Sequence, residues 1–199
     1  MRIIAGEFGG RVLRSKTLPE LRPTSDRVRE SLFGYLEARG LFEQDRLPYV
    51  LDLYAGLGSL GIEALSRGAV HATFVEIRKA TSELLRQNLQ ELGVAPGRYD
   101  VMQMEVERYL AMSPDSFDLV FADPPYHLVS SEVLLSQIAC SSVMSEETLF
   151  VYEVPGSADI KESVAGSGGR PGLELLKQKK YGDTVVLVYQ LVRPPVRVD

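Results

Sequence analysis

The stretch Asp52-Leu53-Tyr54-Ala55-Gly56-Leu57-Gly58-Ser59-Leu60-Gly61 carries a GxGxxG pattern, directly after the strand-like run Tyr49–Leu53 and before a helical run ending near Gly68. Glycines at such a junction let the chain turn tightly and let its backbone approach a ligand that a Cβ would hold off. Glu76 closes the next strand, twenty residues beyond Gly56, where a carboxylate accepts both hydroxyls of a ribose. Together these features predict a site for an adenosine-containing cofactor, with Asp52, Tyr54, Gly56, Gly58 and Glu76 as its residues. Asp52 selects among such cofactors. A dinucleotide pyrophosphate is received at the helix N-terminus, and a fixed carboxylate four residues before Gly56 repels it. The same charge suits an ammonium group, such as that of S-adenosylmethionine. A turn-stabilising role is the alternative for Asp52. Glu105 is the candidate acceptor for the adenine amine, with an exposed helix cap as its competing role. No GxxxxGK(S/T) phosphate loop occurs, and Leu57–Gly61 lacks the first glycine of a nucleophile elbow.

Outward from the loop, strand-like and helix-like runs alternate. His71–Ile77, Tyr99–Met104, Phe117–Ala122 and Thr148–Val154 read as further strands. Among the helices between them, one places Leu85, Leu89 and Leu92 on a shared face before Gly93. Five strands separated by helices imply an α/β fold, a mostly parallel sheet covered on both faces. Gly156–Gly172, rich in Gly and Ser, is expected to be an irregular loop. Leu173–Lys180 and Thr184–Val192 flank Gly182-Asp183 and predict a closing antiparallel hairpin. Ahead of the body, residues 1–20 suggest a small hairpin at Gly9-Gly10, and Thr24 or Ser25 caps a helix closed by Gly40. The expected plan is a single domain over residues 1–199, with 1–40 as an N-terminal arm and 48–192 as a cofactor-binding catalytic body.

A second motif, Asp123-Pro124-Pro125-Tyr126, sits at the carboxyl end of the fourth strand, where open α/β sheets place their ligands. Two prolines remove two N–H donors and force an extended path, leaving carbonyls free to accept hydrogen bonds from a ligand. An amine on a nucleic-acid base is a poor nucleophile because its lone pair is delocalised into the ring. Accepting its N–H groups on the Asp123 carboxylate and a proline carbonyl turns the lone pair out of the ring plane. Tyr126 then stacks on the base. The competing role is a strand terminator with an incidental aromatic. The predicted catalytic set is Asp123, Pro124, Pro125 and Tyr126, acting mainly by alignment.

The chain has 199 residues, 45% apolar and 25% charged, which is the balance of one globular domain. No apolar run reaches the ~18 residues that span a bilayer, and the opening MRIIAGEFGG has no signal-peptide core, so a cytoplasmic protein without a membrane partner is expected. The one cysteine, Cys140, excludes an intrachain disulfide and reads as a small buried hydrophobe. His71 and His127 lie too far apart to suggest a metal site. The net charge of −5 is unevenly spread: residues 1–29 hold seven basic and three acidic residues, +4, which leaves −9 on the remainder. A basic arm points to RNA contact through Arg11, Arg14, Lys16, Arg22, Arg27 and Arg29, against a merely solvated hairpin and helix start.

With both motifs placed, the chain resembles the bacterial 16S ribosomal RNA guanine-N2 methyltransferases of the RsmD type. Arg2-Ile3-Ile4-Ala5-Gly6, Gly10-Arg11, Leu21-Arg22-Pro23-Thr24 and Arg27-Val28-Arg29-Glu30 look like that family's opening, the specific part of the match. Asp52 to Gly61 and Asp123 to Tyr126 look like its cofactor and catalytic motifs. The resemblance implies a class I S-adenosylmethionine-dependent methyltransferase fold, Rossmann-like, with a mostly parallel seven-stranded sheet and the C-terminal antiparallel hairpin. It also implies S-adenosyl-L-methionine as cofactor and a guanine of 16S rRNA in the small ribosomal subunit or an assembly intermediate as substrate; a monomer is expected. Met104-Glu105-Val106 departs from the family pattern, which puts the adenine contact of Glu105 in question. Three other readings remain. An NAD-dependent oxidoreductase leaves Asp123–Tyr126 unexplained, a DNA or RNA adenine-N6 methyltransferase shares the amine chemistry, and a non-enzymatic RNA-binding protein has no use for Asp52 and Asp123 together.

Overall fold

The computed structural model describes residues 1–15, 25–43, 47–125, 130–164 and 171–192. The chain divides into two compact units, Met1–Val106 and Glu107–Asp199.

The first unit holds α1 (Asp26–Ala38), β1 (Tyr49–Leu53), α2 (Ser59–Ser66), β2 (His71–Val75), α3 (Lys79–Leu92) and β3 (Tyr99–Met102). β2 pairs in parallel with β1 and with β3, in a register that sets Asp52 beside Phe74 and Val75 beside Met102. Val50–Leu53 and Ala72–Val75 are buried without alternation, as parallel strands covered on both faces are. Of the two expected caps for α1, Ser25 sits at the N-cap and its hydroxyl accepts from Val28 N; Thr24 lies outside the described residues. α3 buries Leu84, Leu85, Leu89 and Leu92 and stops at Gly93, whose φ of +78° is the left-handed turn that glycine adopts without strain.

The opening segment forms the expected small hairpin, with little regular strand, and is packed onto α2. An antiparallel bridge joins Arg2 to Val12. Ile3 N donates to the Arg11 carbonyl, Gly10 N to the Ile3 carbonyl and Leu13 N to the Met1 carbonyl, each at 2.9 Å, and four further backbone donors of the segment go to α2. Glu63 accepts Ile4 N at 2.8 Å and Ala5 N at 3.1 Å, while Ser66 accepts Glu7 N on its carbonyl at 2.7 Å and Phe8 N on its hydroxyl at 2.9 Å. Gly6 lies so close that a Cβ there would stand 1.8 Å from the Ser66 carbonyl oxygen. Arg67, 2.8 Å from the fully buried Glu63 carboxylate, balances its charge. Residues read from sequence as an arm are therefore packed, where described, onto the helix that follows the glycine loop.

The second unit contains α4 (Val106–Met112, begun on the last residue of the first), β4 (Leu119–Ala122), α5 (Ser131–Cys140), β5 (Leu149–Pro155), β6 (Ser163–Val164), β7 (Gly172–Tyr181) and β8 (Thr184–Val192). β4 and β5 are parallel, whereas β8 runs antiparallel to β5 and to β7. The closing hairpin is thus present, turning at Gly182 with φ +57° and bulged between Leu175 and Lys177. β6, pairing antiparallel with β7, adds a two-residue strand inside the stretch expected to be irregular. Cys140 corrects another expectation: it is exposed. The buried face of α5 runs through Leu134, Leu135, Ile138 and Ala139, and the ~100° step per residue carries Cys140 off it.

Candidate active site

In the first unit the loop from β1 to α2 is built around two buried carboxylates. Asp52, 3% exposed, accepts Gly61 N on Oδ2 at 2.9 Å. Glu76, 4% exposed, accepts Gly56 N on Oε2 at 3.0 Å and Arg78 N on Oε1 at 2.8 Å. Tyr54 takes the left-handed conformation at φ +56°, a strained state for a residue with a Cβ. Gly58 and Gly61 are fixed by packing. A Cβ on Gly58 would stand 2.4 Å from the Leu85 side chain, and one on Gly61 2.3 Å from the Phe74 ring. The glycines thus bring α2 and α3 close together, and the acids tie down the loop's N–H groups.

Burial pushes the Asp52 carboxyl up to about 7; the Gly61 N–H opposes that rise and the nearby Glu76 charge adds to it. A buried carboxyl held near neutrality is a receptor for a cation, because an ammonium placed beside it restores the charged form. The turn-stabilising role weighed for Asp52 is also real, since it holds Gly61. Glu105 stands exposed just ahead of α4, with no hydrogen bond to Asp52 or Glu76 among the described residues.

In the second unit, β4 ends at Ala122 and delivers Asp123, half-buried, then Pro124, buried, and Pro125, exposed. Tyr126 lies outside the described residues. A cavity of about 320 Å³ opens beside Pro124, with Ser131, Tyr152, Glu153 and Lys161 in its lining. Ser131 Oγ and the Tyr152 hydroxyl lie 3.0 Å apart, and burial raises the Tyr152 pKa against the opposing effect of that bond. Among the described residues no group of His, Cys, Asp and Glu side chains is arranged to hold a metal.

The cations assigned to RNA separate into kinds. Arg29 is 1% exposed, and its guanidinium donates to the Arg2 carbonyl and to Asp26 at 2.7 Å, so its expected phosphate contact is replaced by packing beneath the opening segment. Arg11 donates to the carbonyls of Leu92 and Glu91, closing the C-terminus of α3. Arg14 is largely exposed and pairs with Glu91 at 2.7 Å, and Arg27 is exposed. Lys16 and Arg22 lie outside the described residues. Two residues went unsingled by sequence. Arg78 buttresses Glu76 with Nε at 3.3 Å, and Ile77, 56% exposed, offers an apolar platform beside that acid; an apolar residue directly after a strand-ending acid was the available signal.

The solved structures that match this chain share its architecture. The candidate methyltransferase yhhF from Escherichia coli superposes with a TM-score of 0.80 at 30% identity, over 98% of this chain and 99% of that one. The candidate methylase HI0767 from Haemophilus influenzae gives 0.74 at 31% identity, over 96% and 98%. Fold and loop together define a class I methyltransferase. A relative from Haemophilus influenzae, Ribosomal RNA small subunit methyltransferase D, is 36% identical over 160 residues, 77% of this chain and 78% of that protein; its Escherichia coli K12 namesake is 37% identical over 153 residues, 77% and 74%. The chain belongs to the family described as Conserved hypothetical protein 95, whose model matches residues 1–190, the RsmD family of the sequence resemblance.

Proposed function

We propose that this methyltransferase moves a methyl group from S-adenosyl-L-methionine to the exocyclic N2 amine of a guanine in 16S rRNA of the small ribosomal subunit. The observation that carries the cofactor half is the buried Asp52 beside the Glu76-braced glycine loop. An ammonium fits a carboxyl held near 7, whereas a pyrophosphate does not. Asp52 holds the amino-acid end and Glu76 the ribose, and Ile77 flanks the adenine. The bound sulfonium supplies an electrophilic methyl group and leaves as a neutral thioether. Asp123 and the Pro124 carbonyl accept the two amine hydrogens and direct the lone pair at the methyl group that the bound cofactor would supply, and the proton shed by the methylated nitrogen would pass along its hydrogen bond to the Asp123 carboxylate. Naming of the relatives as small-subunit rRNA methyltransferases supports the RNA substrate. Arg14 and Arg27, with Lys16 and Arg22, are the cations assigned to its phosphates.

The test is methyl incorporation into unmodified small subunits, free 16S rRNA and DNA, with the product nucleoside identified by mass. N2-methylguanosine from the rRNA is expected, and N6-methyladenosine or no product overturns the reading. Asp123→Ala should reduce transfer by at least ~100-fold, the effect of losing one oriented polar contact in the transition state, while binding of the demethylated cofactor stays within a factor of about two.

A further inference from the structure

The cavity beside Pro124 has a lining that the roles above do not use. We propose that it reads the Watson–Crick edge of the acceptor purine, with the Glu153 carboxylate accepting the guanine N1–H; this rests on the guanine-N2 reading of the Asp123–Pro124 corner. The strand register supplies the geometry. β4 and β5 pair in parallel as far as Ala122 beside Tyr152, and an acid follows each of these partners, Asp123 just past the end of β4 and Glu153 within β5. Neighbouring strands lie ~4.8 Å apart, so the Asp123–Pro124 corner leaves β4 next to the stretch of β5 that carries Glu153. Pro124 and Glu153 both line the cavity, and Glu153 is 7% exposed.

Guanine presents its N2 amine and its N1–H side by side, two adjacent donors for a cavity lined by both Pro124, at the amine-accepting corner, and Glu153. Adenine presents its amine beside a bare N1 lone pair, which a carboxylate repels. The lining carries Glu132, Glu153 and Asp159 against Lys161 alone, and Lys161 Nζ is paired with Asp159 at 2.6 Å. Such an acceptor-rich hollow turns phosphate away and favours an edge made of N–H groups. Its volume, about 320 Å³, lies at the small end of the ~300–1,000 Å³ range of ligand pockets and suits one flipped base. The wall is fixed: the Tyr189 hydroxyl donates to the Lys161 carbonyl at 2.7 Å, and Gly156 N donates to the Asp183 carbonyl at 2.7 Å. Glu153 moves no proton in this scheme. It accepts a hydrogen bond and rejects bases that lack the donor, and sites built around a buried polar partner discriminate strongly in this way.

The experiment compares kcat/KM on reconstituted small subunits carrying guanine or 2-aminopurine at the mapped target. The analogue keeps the amine and has an N1 lone pair in place of N1–H. Wild type should prefer guanine by at least ~100-fold. Glu153→Gln, whose amide can donate to N1, should gain on 2-aminopurine and lose on guanine, narrowing that preference at least tenfold while calorimetric binding of the demethylated cofactor is kept. Equal wild-type rates on the two bases overturn the assignment whether or not the variant folds, and so does a folded Glu153→Gln with an unchanged preference. A wild-type protein that leaves every subunit guanine unmethylated overturns the proposed function instead, and this assignment with it.

Discussion

Asp52 is the residue at which the chemistry of the loop becomes measurable. Its carboxyl titrates near 7 in the folded chain against 3.8 in the unfolded one, so between those values the folded state holds the extra proton. Its contribution to stability is therefore present at low pH, is lost as pH rises toward 7, and is flat above it. Ligand binding should run the other way. An ammonium prefers the ionised acid, so affinity for S-adenosylmethionine should rise with pH to about 7 and level off, falling by up to tenfold per unit below. Calorimetry from pH 5.5 to 8.5 should show this bend in wild type, and Asp52→Asn should bind more weakly with a flat profile; a bend that survives in Asp52→Asn would assign the titration elsewhere. Gly61 makes a second test. Its missing Cβ leaves room for Phe74 Cε1 and, at 3.1 Å, for Asp52 Oδ2. Gly61→Ala should cost about 1–3 kcal/mol by overpacking and weaken cofactor binding as the Asp52 carboxylate is displaced. Sequence identified these residues because a glycine pattern after a strand constrains backbone directly. It left open which role Asp52 plays, since the Gly61 contact depends on how α2 sits on β1.

At the scale of elements, the opening segment is the place where sequence and structure part. Charge alone marked Arg11, Arg14 and Arg29 as equivalent, but partners divide them, and nothing in a list of charges reveals that Leu92 and Glu91 present carbonyls at the end of α3. Strand and helix positions, by contrast, were legible, because apolar runs and the stops at Gly40, Gly93 and Gly182 act locally. Arg11→Ala should remove the α3 cap and cost about 1 kcal/mol, a fall of roughly 2–4 °C in Tm for a chain of this size, with RNA affinity little changed. Arg27→Ala should leave Tm in place and make the log–log salt slope of RNA binding shallower by about 0.7–0.9. The reverse pattern, tested by thermal melts and by titrating assembled subunits at several salt concentrations, would return Arg11 to the RNA-binding set. Replacing Arg11, Arg14 and Lys16 together would mix the two effects.

At the scale of the whole molecule, a net charge of −5 gives no general attraction to RNA, so binding must come from a few placed cations. With Arg14, Lys16, Arg22 and Arg27 as contacts, the salt slope should be about −3; a slope near zero would remove phosphate contact from the account. The exposed Cys140 has a practical consequence of a different kind. As the sole thiol in the chain, at the last turn of α5, it accepts one maleimide dye without mutagenesis. Nine helical steps from Ser131 place the fluorophore about 14 Å along the axis from the cavity lining, near enough to sense a base entering and far enough to leave the hollow empty. Native protein can therefore be labelled at a single stoichiometric position, and its encounter with ribosomal particles followed in real time by stopped flow.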